Sequence, residues 1–282
     1  MGGLAALILS ACASNGQRSG GLAPAVSPPP DSVSGSLPSQ HVHAIARDPG
    51  DGKLYLATHD GLFRYDSSGP MRVGPVIDLM GFTIAGAGHY FASGHPGPGV
   101  DLPQPVGLLE STNSGASWQQ RSRAGQSDFH ILTYSPAGLL AFDGVLRSSP
   151  DGGTWSDLDI PNEPRSLSAS PGGERALATT AAGVLVSADH GSTWTSLSGA
   201  PLLLLTAWMD ATSVVGVAPT GALHVSRDKG TTWAKARSAV TGVAQALGAG
   251  VRSGEREVLL VTDTAILRST DDGGTLTPVV VG

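Results

Sequence analysis

SADHGSTW, residues Ser187 to Trp194, sets a Ser, an Asp and a His within four consecutive positions. The grouping suits either a catalytic triad or a tight turn, and its copies along the chain decide between them. STNSGASW (Ser111–Trp118) and SRDKGTTW (Ser226–Trp233) repeat the pattern Ser-x-Asp/Asn-x-Gly-x-Ser/Thr-Trp. SPDGGTW (Ser149–Trp155) is one residue shorter, and STDDGGTL (Ser269–Leu276) ends in Leu. Where this copy has His190, others have Ser114, Lys229 or Asp272, so the imidazole is incidental to the motif. The shared residues are those of a turn. Asn113, Asp151, Asp189, Asp228 and Asp271 can each accept hydrogen bonds from nearby backbone N–H groups, and Gly supplies a position with positive φ. The Trp then buries a large ring where the next strand begins.

The motifs end at positions 118, 155, 194, 233 and 276, in steps of 37, 39, 39 and 43 residues. That is the length of one four-stranded propeller blade, about 40–45 residues. Short apolar runs (GLLES, GVLRS, GVLVS, GALHVS and AILRS) precede the motifs, as strands entering a hairpin do. Further upstream, HAIARDPGDGKLYLATHDGLFRY (His43–Tyr65), HILTYSPAGLLAFDGVLRS (His130–Ser148) and RSLSASPGGERALATTAAGVLVS (Arg165–Ser187) align with one another. Pro49, Pro136 and Pro171 each fall six residues after the first letter. The segment at His43 is therefore a further unit, in which YDSSGPMRV replaces the turn motif. The spacing predicts an all-β chain with one six-bladed β-propeller over residues 41–282, or seven blades if the N-terminal tract adds strands. TPVVVG serves as the last strand of blade six, which leaves the closure of the ring open.

Composition agrees with many strands and turns. Of 282 residues, 39 are Gly, 20 are Pro and only 14% are charged. A hydrophobic content of 40% can bury a sizeable core. A net charge of −6 argues against a general nucleic-acid binder, which would show a basic face. Residues 1–12 read as a secretory leader whose Leu9-Ser10-Ala11-Cys12 resembles a bacterial lipobox, with Cys12 as the point of lipid attachment. The apolar run is short and the positively charged start is missing, as in a truncated leader. Residues 13–40, rich in Gly, Ser, Pro and Ala, read as a flexible, disordered tether. The expected product is a monomeric lipoprotein held by its N-terminal lipid on the extracytoplasmic side of a bacterial membrane. No other segment reaches the ~18 apolar residues that a membrane span needs.

In a propeller the innermost strand of each blade starts on one face, and the loop between the second and third strands lies on that face too. The Asp-bearing turns lie on the other. Six of the eight histidines fall between His41 and His130. His43, His130 and Arg165 share one slot, the start of the innermost strand, in blades one, three and four. His41 lies two residues before His43 and so shares its side of the strand. His59 is expected in the loop between the second and third strands of blade one, and His95 in the equivalent, longer loop of blade two. Asp101 and Asp128 belong to the same face, and Asp78 or Met80 reaches it from the start of blade two. His89 is expected on the opposite face and His224 within a third strand. Converging imidazoles with a carboxylate or thioether nearby are what zinc or copper needs. His41, His43, His59, His95 and His130 thus form a candidate metal site, with Asp78, Met80 and Arg165 as candidate ligand contacts. The same groups suit an anionic ligand, acid–base chemistry or simple strand capping.

The five turn motifs resemble the Asp-box, or BNR repeat, of sialidases, sortilin-type receptors and photosystem assembly propellers, a motif that marks the fold and no single activity. HVHAIA, LYLATHDGLFRY, DLMGFTIAG, ASGHPGPGVDLPQPVGLLEST and SDFHIL together resemble bacterial envelope proteins known as glycosylhydrolase-like or exo-α-sialidase-like BNR proteins, over His41 to Leu132. That resemblance implies glycoside cleavage. A sialidase grips its substrate carboxylate with three arginines and uses a Tyr nucleophile, and its Phe/Tyr-Arg-Ile-Pro signature is absent. FRYD (Phe63–Asp66) matches only superficially, because Arg64, Arg147 and Arg268 recur at one place in three blades and read as structural. An ordinary glycosidase needs two carboxylates about 5–9.5 Å apart, for which Asp101 and Asp128 are the catalytic candidates. The leading expectation is a binding propeller that takes a metal, small ligand, glycan or partner protein at a histidine-rich mouth. A sialidase-like glycoside hydrolase and an assembly scaffold are the alternatives.

Overall fold

Gly-bearing turns cut the chain into 24 short strands, with no helix among the described residues. The structure, a computed structural model, describes residues 37–66 and 69–281. Cys12, the leader 1–12 and the tether up to residue 36 lie outside the described residues, as do Ser67 and Ser68 of the first blade.

The strands form six antiparallel sheets of four, each in sequence order. Blade one is β1 (Val42–Arg47), β2 (Leu54–Thr58), β3 (Gly61–Asp66) and β4 (Gly69–Val73). Blade two is β5 (Ile77–Gly86), β6 (His89–Pro96), β7 (Leu108–Ser111) and β8 (Gln119–Ser122). Blade three is β9 (Ile131–Ser135), β10 (Gly138–Phe142), β11 (Leu146–Ser149) and β12 (Ser156–Leu158). Blade four is β13 (Pro164–Ala169), β14 (Ala176–Thr180), β15 (Gly183–Ser187) and β16 (Thr195–Ser196). Blade five is β17 (Leu205–Trp208), β18 (Val214–Val217), β19 (Ala222–Ser226) and β20 (Ala234–Ala239). Blade six is β21 (Ala244–Arg252), β22 (Glu255–Thr262), β23 (Ala265–Ser269) and β24 (Thr277–Val281). The first strands, β1, β5, β9, β13, β17 and β21, contact one another around the axis, so the chain is a six-bladed β-propeller.

Burial follows from this stacking. Second strands have a neighbouring blade on both faces, and in β2 (LYLAT) and β14 (ALATT) every residue is buried, threonines included. Outer strands such as β8 (QQRS) face water. The core is accordingly divided into wedges between blades. In one of them Tyr55 and Leu62 of blade one pack with Ile77, Tyr90 and Leu109 of blade two.

The repeated turns are built as their residues predict. The buried Oγ of Ser111, Ser149, Ser187, Ser226 and Ser269 accepts the N–H of the motif glycine at 2.8–2.9 Å. The Asn or Asp then accepts further N–H groups, as Asp189 does from Thr193 at 2.9 Å. His190 takes up a left-handed backbone with φ 54°, shared by Ser114, Lys229 and Asp272, so its place is a turn position and no triad exists there. All five turns follow a third strand and lie at the opposite end of the blades from the β2–β3 turn.

Ring closure, which the sequence leaves open, occurs without strand exchange: β1 to β4 stay in blade one and β21 to β24 in blade six. Side chains fasten the seam. Val42, Ile45, Leu56 and Tyr65 pack with Ala246, Leu259, Val261 and Ile266, and Leu37 packs against that cluster. Gln245 accepts from Val42 N–H at 2.8 Å and donates to the Gln40 carbonyl at 3.0 Å. Arg47 donates to Glu257 at 2.7 and 2.9 Å, and Arg268 donates to the same carboxylate at 2.5 Å. Arg268 is thus structural, and so is Arg147, which donates to Asp143 and Asp157.

Candidate metal centre at the propeller mouth

The antiparallel register slips by one residue near the start of β1, β5, β13 and β21, and the residues left over are His43, Met80, Arg165 and Gln245. A bulge of this kind re-aims a side chain out of the ladder. His130 stands in the same slot, immediately before the first β9 pair, Ile131–Phe142. All five line a central channel of ≈ 1090 Å³. The slot read from sequence for His43, His130 and Arg165 is therefore real, and Met80 joins it. Gln245 was missed. Its signal was the threonine that closes the second strand in three of the blades: Thr58, Thr180 and Thr262 donate to the carbonyls of Gly61, Gly183 and Ala265, which sets blade six in register with blades one and four.

His59 sits in the β2–β3 turn, where Thr58 Oγ1 also accepts the Asp60 N–H at 3.0 Å. The ring stands between two partners. Its Nδ1 lies 2.7 Å from Asp78 Oδ1, and its Nε2 lies 3.2 Å from His43 Nε2. An ionised carboxylate only accepts, so Asp78 assigns the proton to Nδ1 and leaves the His59 Nε2 lone pair facing His43. His41, exposed, packs edge-on against His59 with ring centroids 5.2 Å apart. Burial, then the charge of His59, pushes His43 down to about 4, with Asp78 opposing and His130 and His41 adding to the fall. The His43 imidazole is consequently neutral near pH 7.

His95 departs from expectation: it lies within β6 and not in the loop that follows. The β5–β6 ladder continues to Ile77–Pro96 and sets His95 directly across from Asp78. Gly94 makes this possible, because at φ 146° any Cβ would fall on the Asp78 carbonyl oxygen. His95 Nε2 lies 2.9 Å from Asp128 Oδ2, and His130 Nε2 lies 2.6 Å from the same oxygen. Between Asp128 and His130, the fully buried Phe129 donates its N–H to Ser93 Oγ at 3.0 Å and packs its ring 4.8 Å from Trp155. With Phe129 anchored inward, Asp128 and His130 on either side of it both line the recess at the mouth.

The five imidazoles nominated from sequence therefore fall into two neighbouring groups on one face. Asp101 joins neither: it is exposed, and no hydrogen bond or ion pair ties it to another described residue. Arg165 lines the channel and also a side recess of ≈ 660 Å³ that it shares with Asp128 and His130. His89 pairs with Glu110 at 2.7 Å on the opposite face, and His224 lies in β19, both as expected. His43, His59 and Asp78 offer donor atoms within 4.8 Å of one another.

No family model matches the chain, and no curated protein matches it. Solved structures do. An ancestral GH74 enzyme superposes with a TM-score of 0.56 at 15% identity, over 89% of this chain and 38% of that one. A nidogen/laminin complex gives 0.62 at 11% identity, covering 80% of this chain and 91% of that one. The extracellular domain of a one-component system from B. thetaiotaomicron gives 0.56 at 14% identity, covering 84% and 33%. The chain thus spans little more than a third of the GH74 enzyme, and at such identities the likeness is one of fold. The chain is a six-bladed β-propeller that resembles an ancestral GH74 enzyme and a nidogen/laminin complex in fold, and its chemistry rests on its own residues.

Proposed function

We propose that the protein is a binding propeller that holds a transition-metal ion at its mouth. His43 and His59 are the ligands, Asp78 is the carboxylate that orients His59, and His41, whose ring centroid lies 5.2 Å from that of His59, would have to turn toward the pair to serve as a third donor. The observation that carries this reading is the 3.2 Å between the two facing Nε2 atoms. Two bonds of about 2.0–2.1 Å to one tetrahedral zinc ion span about 3.3 Å, so an ion fits between the two nitrogens once the rings turn toward it and the shared proton passes to His43 Nδ1. Imidazole donors favour zinc or copper over magnesium or calcium. Two imidazoles leave positions open toward the channel, where a small ligand, a glycan or a protein side chain would bind with Arg165 across from it. The lipobox-like Cys12 and the tether put this mouth outside the cytoplasmic membrane, and the five turns are those of Asp-box repeats.

The hydrolase reading finds less support, since Asp128 is held by two imidazoles and Asp101 stands apart from them. The scaffold reading has no residue that points to it. Dialysis of the purified chain against zinc or copper, followed by metal counting, tests the proposal. His43→Ala and His59→Ala should each remove one equivalent, while His89→Ala and His224→Ala should keep it. A wild-type chain that binds neither ion at micromolar concentration refutes the proposal.

A further inference from the structure

We infer a second cation site beside the first, formed by Nε2 of His95 and His130 and the carboxylate of Asp128; it rests on the reading of the mouth as metal-binding. Two imidazole nitrogens converge on one carboxylate oxygen at 2.9 and 2.6 Å. Among the described residues these imidazoles are the only ion-pair partners of Asp128, and no Arg or Lys neutralises it. The hydrogen-bond network around it is incomplete as well. Asp128 Oδ1 and His95 Nδ1 are both buried without a partner, although buried polar atoms are normally satisfied. With both Nε2–H groups spent on Oδ2, Nδ1 of His95 is a bare lone pair and Oδ1 a bare acceptor. A divalent ion bound at the two Nε2 atoms, whose protons pass to Nδ1 as each ring changes tautomer, would supply the positive charge that the protein withholds from this carboxylate.

The support is rigid and the approach is open. Phe129 pins Asp128 and His130 from beneath, and Gly94 lets β6 carry His95 to the rim. The His130 side chain is 56% exposed and faces the recess beside Arg165, which gives an ion its way in. Each site straddles a boundary between blades: the first joins blades one and two, the second blades two and three. The Asp78–His95 pair across β5 and β6 sets them side by side.

Equilibrium dialysis of the full chain against Zn²⁺, with zinc counted per chain, tests the inference. The wild type should hold two ions, the His95→Ala/His130→Ala variant one, and the His43→Ala/His59→Ala variant one. A single wild-type ion that survives His95→Ala/His130→Ala overturns the second site and leaves the first standing. A single ion that survives His43→Ala/His59→Ala but not the other pair overturns the first and supports the second, and no ion at all overturns both. Should His95→Ala impair folding, His130→Ala at its half-exposed position and Asp128→Asn give the same count. Two ions retained in both of these variants overturn the inference.

Discussion

Replacing Glu257 with Ala should loosen the seam between the first and sixth blades. The carboxylate is 3% exposed and is shared by Arg47 of β1 and Arg268 of β23 at 2.7, 2.9 and 2.5 Å. Among the described residues no strand passes between the two blades, so this carboxylate fastens the ring together with the Gln245 clamp and the apolar cluster around Leu56. Burial alone would raise the Glu257 carboxyl, but its bonds to the two guanidiniums outweigh burial and hold it below the usual value. Truncation leaves both arginines without a counter-charge, and breaking a buried pair from one side costs about 3–5 kcal/mol. Arg47 and Arg268 keep 15% and 26% side-chain exposure, so water recovers part of the loss and the low end, about 3 kcal/mol, applies. For a domain of this size each kcal/mol moves the Tm by about 2–4 °C, and scanning calorimetry should show a fall of about 6–12 °C. Glu174→Ala, which removes an exposed partner of Lys229, should not move it measurably. The sign of the pH dependence follows. A folded value below the unfolded 4.5 means that the contribution is whole above that pH and is lost as pH falls through the lowered value. Wild type and Glu257→Ala should therefore converge in stability as pH falls below 4.5 and through that lowered value. A Tm that falls by less than about 2 °C at pH 7 refutes side-chain closure of the ring.

Ser187→Ala removes the buried oxygen that accepts the Gly191 N–H at 2.8 Å, leaves that donor unmet and should cost about 1–3 kcal/mol in a denaturant titration. An unchanged midpoint would mean that the turn does not depend on its serine. Asp78→Asn keeps the size of the side chain but loses the carboxylate that orients His59, and should weaken zinc affinity about 10–100-fold in a competition titration. Equal affinity would remove Asp78 from the site.

Much of the architecture was legible because repetition makes one blade a template for the next. The forty-residue period predicted six blades, and the shared slot predicted that His43 and His130 stand on one rim with Arg165. The turn motif was legible for a simpler reason: its hydrogen bonds span four residues or fewer, as between Ser187 and Gly191. His95 was misplaced because the bulge at Met80 and the left-handed Gly94 lengthen the β5–β6 ladder, and neither is visible in a hydrophobic pattern. Gln245 was not legible because His or Arg marks the slot in only three blades, one, three and four, and a Gln in blade six does not continue that pattern.

Local alternation, turn chemistry and their recurrence were enough to specify the blades, their order and the face on which the imidazoles gather. Which ring nitrogen meets which partner, how Asp128 comes to hold two histidines, and what seals the ring were decided only in three dimensions. The sealing contacts join residues 203 and 210 positions apart, Val42 to Gln245 and Arg47 to Glu257. Their geometry depends on the rotation accumulated over all six blades, and no window of forty residues records that sum.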